Sequence, residues 1–168
     1  MEVFEAVRTV LAVRSYQDKR IPPDTVRRIV EAGRVTASSM NGQPWHFIVV
    51  ENGDTLRQLG ALARTGPYVA HAPLAVVVAI EKTRFAVSDG SRAIQSMILT
   101  AWSEGVGSNW VGFLGLTGVK ALLGIPPDLD VLAILPFGYP AQARGGERKQ
   151  RKSISHVAYR ERFGQALA

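Results

Sequence analysis

The sequence predicts a mixed fold, α/β or α+β, on two observations. Apolar residues recur at helical spacing in several windows, most regularly at Ala93, Ile94, Met97, Ile98, Ala101 and Trp102. Between such windows lie short, continuous apolar runs: Trp45 to Val50, Pro73 to Ile80 and Val131 to Leu135. The first pattern marks one face of a helix, and the β-branched run at 73–80 suits a central strand buried on both faces. At 168 residues, with no repeat, low-complexity stretch or linker, the chain is expected to form one domain spanning 1–168.

Taken in order, Val3, Phe4, Val7, Val10 and Leu11 lie on one face of a first helix expected over 2–13. Arg14 to Ile21 is polar and irregular. Pro22-Pro23-Asp24 starts a second helix, because proline suits the first turn and Asp its positive end. Val26, Ile29 and Val30 are its buried stripe. After the strand from Trp45, read as core, Asn52-Gly53-Asp54 caps a short helix marked by Leu56, Leu59 and Leu62, and Gly66-Pro67 breaks it. Asp89 is read as the cap of the long helix that Gly105 ends. Thr117 to Leu123 is a short helix closed by Gly124, and Gly138-Tyr139-Pro140 is a turn. A last helix is expected over 153–163, on Ile154, Val157 and Phe163. The apolar residues of the first helix and of this last segment find no evident partner within the chain, which points to a dimer.

Composition excludes several chemistries. There is no cysteine, hence no disulfide, thiol nucleophile or thiolate metal site. The three histidines, His46, His71 and His156, share no ligand spacing. No phosphate-cradling glycine loop, nucleophile elbow or paired carboxylate occurs. That absence favours chemistry carried by an organic cofactor. The N-terminus has no signal-peptide pattern and no apolar run approaches a membrane span, so a cytoplasmic protein with no membrane partner is expected. The net charge is +6, and residues 144–152 alone contribute +4. Such a run implies an anionic partner, phosphate or nucleic acid, unless it is a solvated tail. It has no interleaved aromatics, so no nucleic-acid partner is expected.

The stretch Ala37 to Val50 is the centre of the functional reading. Ser38, Ser39, Asn41 and Gln43 place four polar side chains in six residues, immediately before an apolar strand. Such a loop sets hydrogen-bonding groups at a sheet edge, where ligands bind; the alternative is a simple turn.

This stretch resembles the signature of the nitroreductase family, FMN-dependent oxidoreductases. The resemblance extends over nearly the whole chain: Glu-Ala-Val-Arg-Thr at 5–9, Ile-Pro-Pro-Asp at 21–24, Glu-Ala-Gly-Arg at 31–34, Asp89 with Ala93 and Gln95, Gly-Val-Gly-Ser-Asn-Trp-Val-Gly-Phe at 105–113, Phe-Gly-Tyr-Pro at 137–140, and Arg151-Lys152. It implies an α+β fold with a central, mostly antiparallel sheet flanked by helices, in an intertwined homodimer. It implies FMN as cofactor and NAD(P)H as co-substrate, reducing flavin N5 by hydride transfer. A small-molecule acceptor, such as a nitroaromatic or a quinone, then takes the electrons in a ping-pong cycle. Ser38, Ser39, Asn41 and Gln43 are the implied cofactor contacts of the loop. Val111 and Gly112 are implied to offer backbone amides near N5 and O4, and Lys149 and Arg151 to pair with the 5′-phosphate. Arg14, with Ser15 beside it, falls near the pyrimidine end.

The chain departs from the family pattern at one place. The family has an Arg-x-Ser pair of phosphate ligands just before the position of Arg14. With Arg14 aligned on the family's later cation, those positions are Val10 and Ala12; otherwise Arg14-Ser15 is itself the displaced pair. The first alignment implies weakened flavin binding, and a flavin-binding or storage protein without turnover is the alternative function.

Overall fold

The computed structural model describes residues 1–112, 116–142 and 149–167. Nine α-helices and strands are described in chain order: α1 (Val3–Thr9), α2 (Pro23–Arg34), β1 (Trp45–Val50), α3 (Gly53–Leu62), β2 (Leu74–Ile80), α4 (Ala86–Ser103), β3 (Gly107–Ser108), α5 (Thr117–Leu123) and β4 (Asp130–Gly138). The strands make one sheet in the order β1-β2-β4-β3, each neighbouring pair antiparallel. This is the α+β arrangement, with no parallel crossover between the named strands.

β2 lies between β1 and β4, and all seven of its residues are buried. Successive side chains of a strand point to opposite faces, and β2 divides accordingly. Leu74, Val76, Val78 and Ile80 join Ile29, Ile94, Met97 and Ala101 in one apolar cluster, against α2 and α4. Ala75, Val77 and Ala79 join Leu56, Leu59, Val119 and Ile134 in a second, against α3 and α5. The sheet is therefore covered on both sides, and the continuous apolar run at 73–80 follows from that.

Several local signals behave as the residues dictate. Asn52 accepts the Thr55 N–H at 3.0 Å and caps α3, a bond worth about 1 kcal/mol. Gly124 ends α5 in the left-handed region, at φ 64°. Other expectations need correction. α1 is seven residues long and stops at Thr9, so Val10 and Leu11 do not prolong its stripe. α4 begins at Ala86, one turn before Asp89, which lies inside the helix rather than capping it. β4 runs on through Gly138, read as a turn, because that residue pairs with Gly107. Residues 153–163 hold only a single 3-10 turn, Ile154–His156, and Ile154, Val157 and Phe163 are exposed.

α1 turns its apolar stripe outward: Val3 and Phe4 are each 76% exposed, and Ala6 is its one buried residue. No helix among the described residues is long and apolar enough to cross a membrane.

Candidate functional site

After α1 the chain straightens and runs beside β3. The Val13 N–H donates to the Ser108 carbonyl at 2.8 Å, and Ala12 forms a parallel bridge with Ser108. A Cβ on Gly107 would lie 2.3 Å from Val13 Cγ2, so only glycine allows this approach. Extended backbone alternates its side chains. Val13 is buried, which puts Leu11 and Ser15 on its side and Val10, Ala12 and Arg14 on the other. Arg14 is exposed. Ser15 is exposed as well, and its carbonyl accepts the Ala141 N–H at 3.0 Å.

The loop between α2 and β1 is held against α4. The hydroxyls of Thr36 and Ser96 are 2.8 Å apart. Ser39 donates to Asp89 twice, from its amide and its hydroxyl, each at 3.0 Å. Arg92 donates to the Ser39 hydroxyl at 3.2 Å and to the Asp89 carboxylate. Asp89, Arg92 and Ser96 recur at i, i+3 and i+7, one face of α4. Hydrogen bonds to a charged group contribute about 1.5–3 kcal/mol each. They act against backbone strain, since Met40, Asn41 and Gln43 have φ values of 53°, 57° and 47°. Non-glycine residues in the left-handed region cost on the order of 1–3 kcal/mol each. The Ser38 hydroxyl accepts the Gln43 N–H at 2.9 Å and closes the loop. Asn41 and Gln43 remain exposed. The Ser39 hydroxyl, by contrast, is turned to Asp89.

Asp89 is 1% exposed. Burial pushes its carboxyl up, but the Ser39 hydroxyl and amide and the Arg92 guanidinium together outweigh it and hold the group below the usual carboxylate range.

The glycine-rich segment forms the third part. Val111 exchanges both backbone bonds with Ile134, donating at 3.0 Å and accepting at 2.9 Å. Its amide is thus engaged in the sheet. Gly112 follows at φ 75°, its carbonyl accepting the indole N–H of Trp110. A cavity of about 390 Å³ opens beside these two residues, lined also by Leu62, Arg64, Thr65, Leu116 and Thr117. The neighbouring residues 113–115 lie outside the described ones, as do residues 143–148 of the basic run.

From that run, Lys149, Gln150, Arg151 and Lys152 are described. The Lys149 ammonium donates to the Val7 carbonyl at 2.7 Å, at the C-terminal end of α1 and three residues before Val10. Desolvation and the nearby Arg151 charge lower its pKa. Arg151 is exposed and donates to the Gln150 carbonyl at 2.8 Å. Neither cation forms an ion pair with a carboxylate among the described residues.

The structure thus brings Lys149 to the end of α1, next to the segment that bears Arg14, and Ser38 to Gln43 onto α4. It does not join these two groups within one chain by any described contact. Sequence reasoning missed the Asp89–Arg92–Ser96 face. Its signal was available: Asp89, Arg92 and Ser96 recur at helical spacing on one face of α4, and two of the three are charged.

A family model described as "Nitroreductase family" matches residues 8–87 and 65–139. A protein of Methanothermobacter thermautotrophicus, provisionally named NADH dehydrogenase/NAD(P)H nitroreductase, is 34% identical over 154 residues, covering 86% of this chain and 81% of its own. An FMN reductase [NAD(P)H] of Bacillus subtilis is 24% identical, covering 92% of this chain and 73% of its own. The solved structure of an FMN-dependent nitroreductase from Clostridium difficile superposes with a TM-score of 0.85 at 22% identity, covering 95% of this chain and 99% of that one. That last likeness carries the fold alone.

Proposed function

The chain belongs to the nitroreductase family, and from that premise we propose that it is an NAD(P)H oxidoreductase working through FMN in a homodimer. The observation that carries the cofactor assignment is the Lys149–Arg151 pair. Two neighbouring cations, one of them partly desolvated and neither matched by a described carboxylate, fit a phosphate. Lys149 keeps further N–H donors beyond the one it gives to Val7.

When bound, FMN supplies two-electron chemistry: hydride uptake from NADH or NADPH at N5, then delivery to a second substrate such as a nitroaromatic or a quinone. The chain's own residues supply position and charge. Arg14, exposed on the outer side of its extended segment, offsets negative charge at the pyrimidine end. Gly112 rather than Val111 offers the backbone amide, because the Val111 N–H already serves Ile134. Ser38, Asn41 and Gln43 present polar groups from a loop whose shape Ser39 fixes. The loop and the Arg14–Lys149 group have no described contact within one chain, so a second copy completes the site. The exposed apolar face of α1 supports that pairing.

The test is direct. The purified protein should be yellow, and anaerobic addition of NADH or NADPH should bleach it, with colour returning on addition of a quinone. A protein that binds FMN but does not bleach would favour storage over turnover. Val10 and Ala12 favour that second reading in one respect: they bring no anion-binding group to the side they share with Arg14.

A further inference from the structure

We infer that Asp89 is a positioning residue for the cofactor loop: through Ser39 it holds Met40, Asn41 and Gln43 in their left-handed conformations. The inference rests on the reading that this loop borders FMN. Its physical basis is independent of that reading. Three non-glycine residues with φ between 47° and 57° stand within four positions. Such a loop relaxes unless its surroundings overdetermine it. Apart from the Gln43–Ser38 closure within the loop, the bonds that tie it to the fold converge on one carboxylate, which accepts both the amide and the hydroxyl of Ser39 at 3.0 Å. Arg92 braces the same hydroxyl and the same carboxylate, and Thr36–Ser96 fixes the start of the loop seven residues along the same helix face.

The base of the anchor is rigid. Gly90 follows Asp89, and a Cβ there would lie 2.8 Å from Leu132 and 3.1 Å from Ile80, so α4 is seated directly on β4 and β2. A side chain locked by its second layer of contacts holds a binding group more precisely than a free loop does. In this arrangement Ser39 transmits position and Asn41 and Gln43 meet the ligand.

Two readouts on Asp89→Asn and Asp89→Ala test this, one without flavin. Met40 is 93% exposed, which makes the loop accessible to thermolysin in the apoprotein. Cleavage at the loop should quicken at least ten-fold in Asp89→Ala and less in Asp89→Asn, which keeps the shape and one acceptor oxygen. The Kd for FMN, read by fluorescence quenching, should rise in the same order, on the order of ten-fold for Asp89→Ala. Unchanged cleavage would overturn the anchor. Faster cleavage with unchanged FMN affinity would keep the anchor and overturn the place of the loop at the flavin. If Asp89→Ala does not fold, Ser39→Ala decides: it removes one of the two bonds and leaves the buried carboxylate with Arg92, and unchanged cleavage and affinity in it would overturn the inference.

Discussion

Lys149 closes the C-terminal end of α1: its ammonium donates to the Val7 carbonyl at 2.7 Å, although 142 positions separate the two residues. A cation at the negative end of a helix stabilises it by about 0.3–1 kcal/mol. Here it also brings the basic segment to the start of the extended stretch that carries Arg14. In the proposed reading, this bond is what joins Lys149 to the cofactor site.

Lys149→Ala combined with Arg151→Ala is expected to raise the Kd for FMN at least ten-fold, since each charged hydrogen bond contributes about 1.5–3 kcal/mol. Isothermal titration should show it. Wild-type affinity should also fall with ionic strength, because exposed charges such as Arg151 are screened. The double variant should lose most of that salt dependence.

Asp89 gives the fold an acid-sensitive element. Its folded-state pKa lies below the unfolded value of about 3.9. Its stabilising contribution is therefore complete above pH 4 and is lost as the pH falls through the lower, folded value. The groups facing it are Ser39 and Arg92, and only Arg92 is charged. Urea unfolding of wild type and Asp89→Asn should differ by an amount that is constant from pH 5 to 7. The difference should shrink below about pH 4.

Much of this was legible in the residues, for identifiable reasons. The run at 73–80 is apolar at every position because β2 is sandwiched between two layers, and that arrangement leaves a strong signal. The Ser38–Gln43 loop was also legible, since four polar side chains before an apolar strand are uncommon in a core-facing segment. What could not be read were contacts that depend on the distance between segments. Val10 and Leu11 fit a helical stripe locally, yet hydrogen bonding of Val13 to Ser108 takes the chain into extended structure. Asp89 has the composition of a helix cap, and only the arrival of Ser39 makes it an anchor. Ile154, Val157 and Phe163 suggested a helix face, but three exposed apolar residues spread over 154–163 carry no helix without a surface to pack on.

Gly107 and Val13 set the position of that extended segment. Gly107→Ala would place a Cβ 2.3 Å from Val13 Cγ2 and 2.7 Å from its Cβ. Overpacking of this kind costs about 1–3 kcal/mol. The expected outcome is a lower thermal midpoint together with weaker FMN binding, because Arg14 moves with Val13. Gly105→Ala, where nothing lies within 4 Å, should affect stability through its φ of 77° but leave the Arg14 segment in place.

The outward stripe of α1 makes the proposed dimer testable. Phe4→Glu sets a charge where an apolar ring is 76% exposed in the single chain. A solvent-facing Phe tolerates that change, whereas one buried against a second copy does not. Light scattering should report monomers for Phe4→Glu, accompanied by loss of flavin. A dimer that persists with FMN bound would show that α1 is not at the interface.

Ala12 offers the sharpest test of the proposal that the N-terminal segment meets the cofactor. Had α1 continued, Val10 and Leu11 would have belonged to the core. It ends at Thr9 instead, and alternation about the buried Val13 sets Ala12 on the same side as Arg14. Ala12 is half-buried beside Ser108, with which it forms a parallel bridge. A serine there adds one oxygen and no charge, so Ala12→Ser should cost little stability. If its side faces the phosphate, a neutral hydrogen bond of about 1 kcal/mol should tighten FMN binding by a factor of a few. Val10→Arg on the same side should tighten it further and raise its salt dependence, since it adds a cation two residues away. Riboflavin, which lacks the phosphate, is the control: neither substitution should change its affinity. An equal gain for riboflavin would mean that these residues touch the ring system. No gain for either ligand would put the phosphate elsewhere and restore Arg14-Ser15 as the displaced phosphate pair.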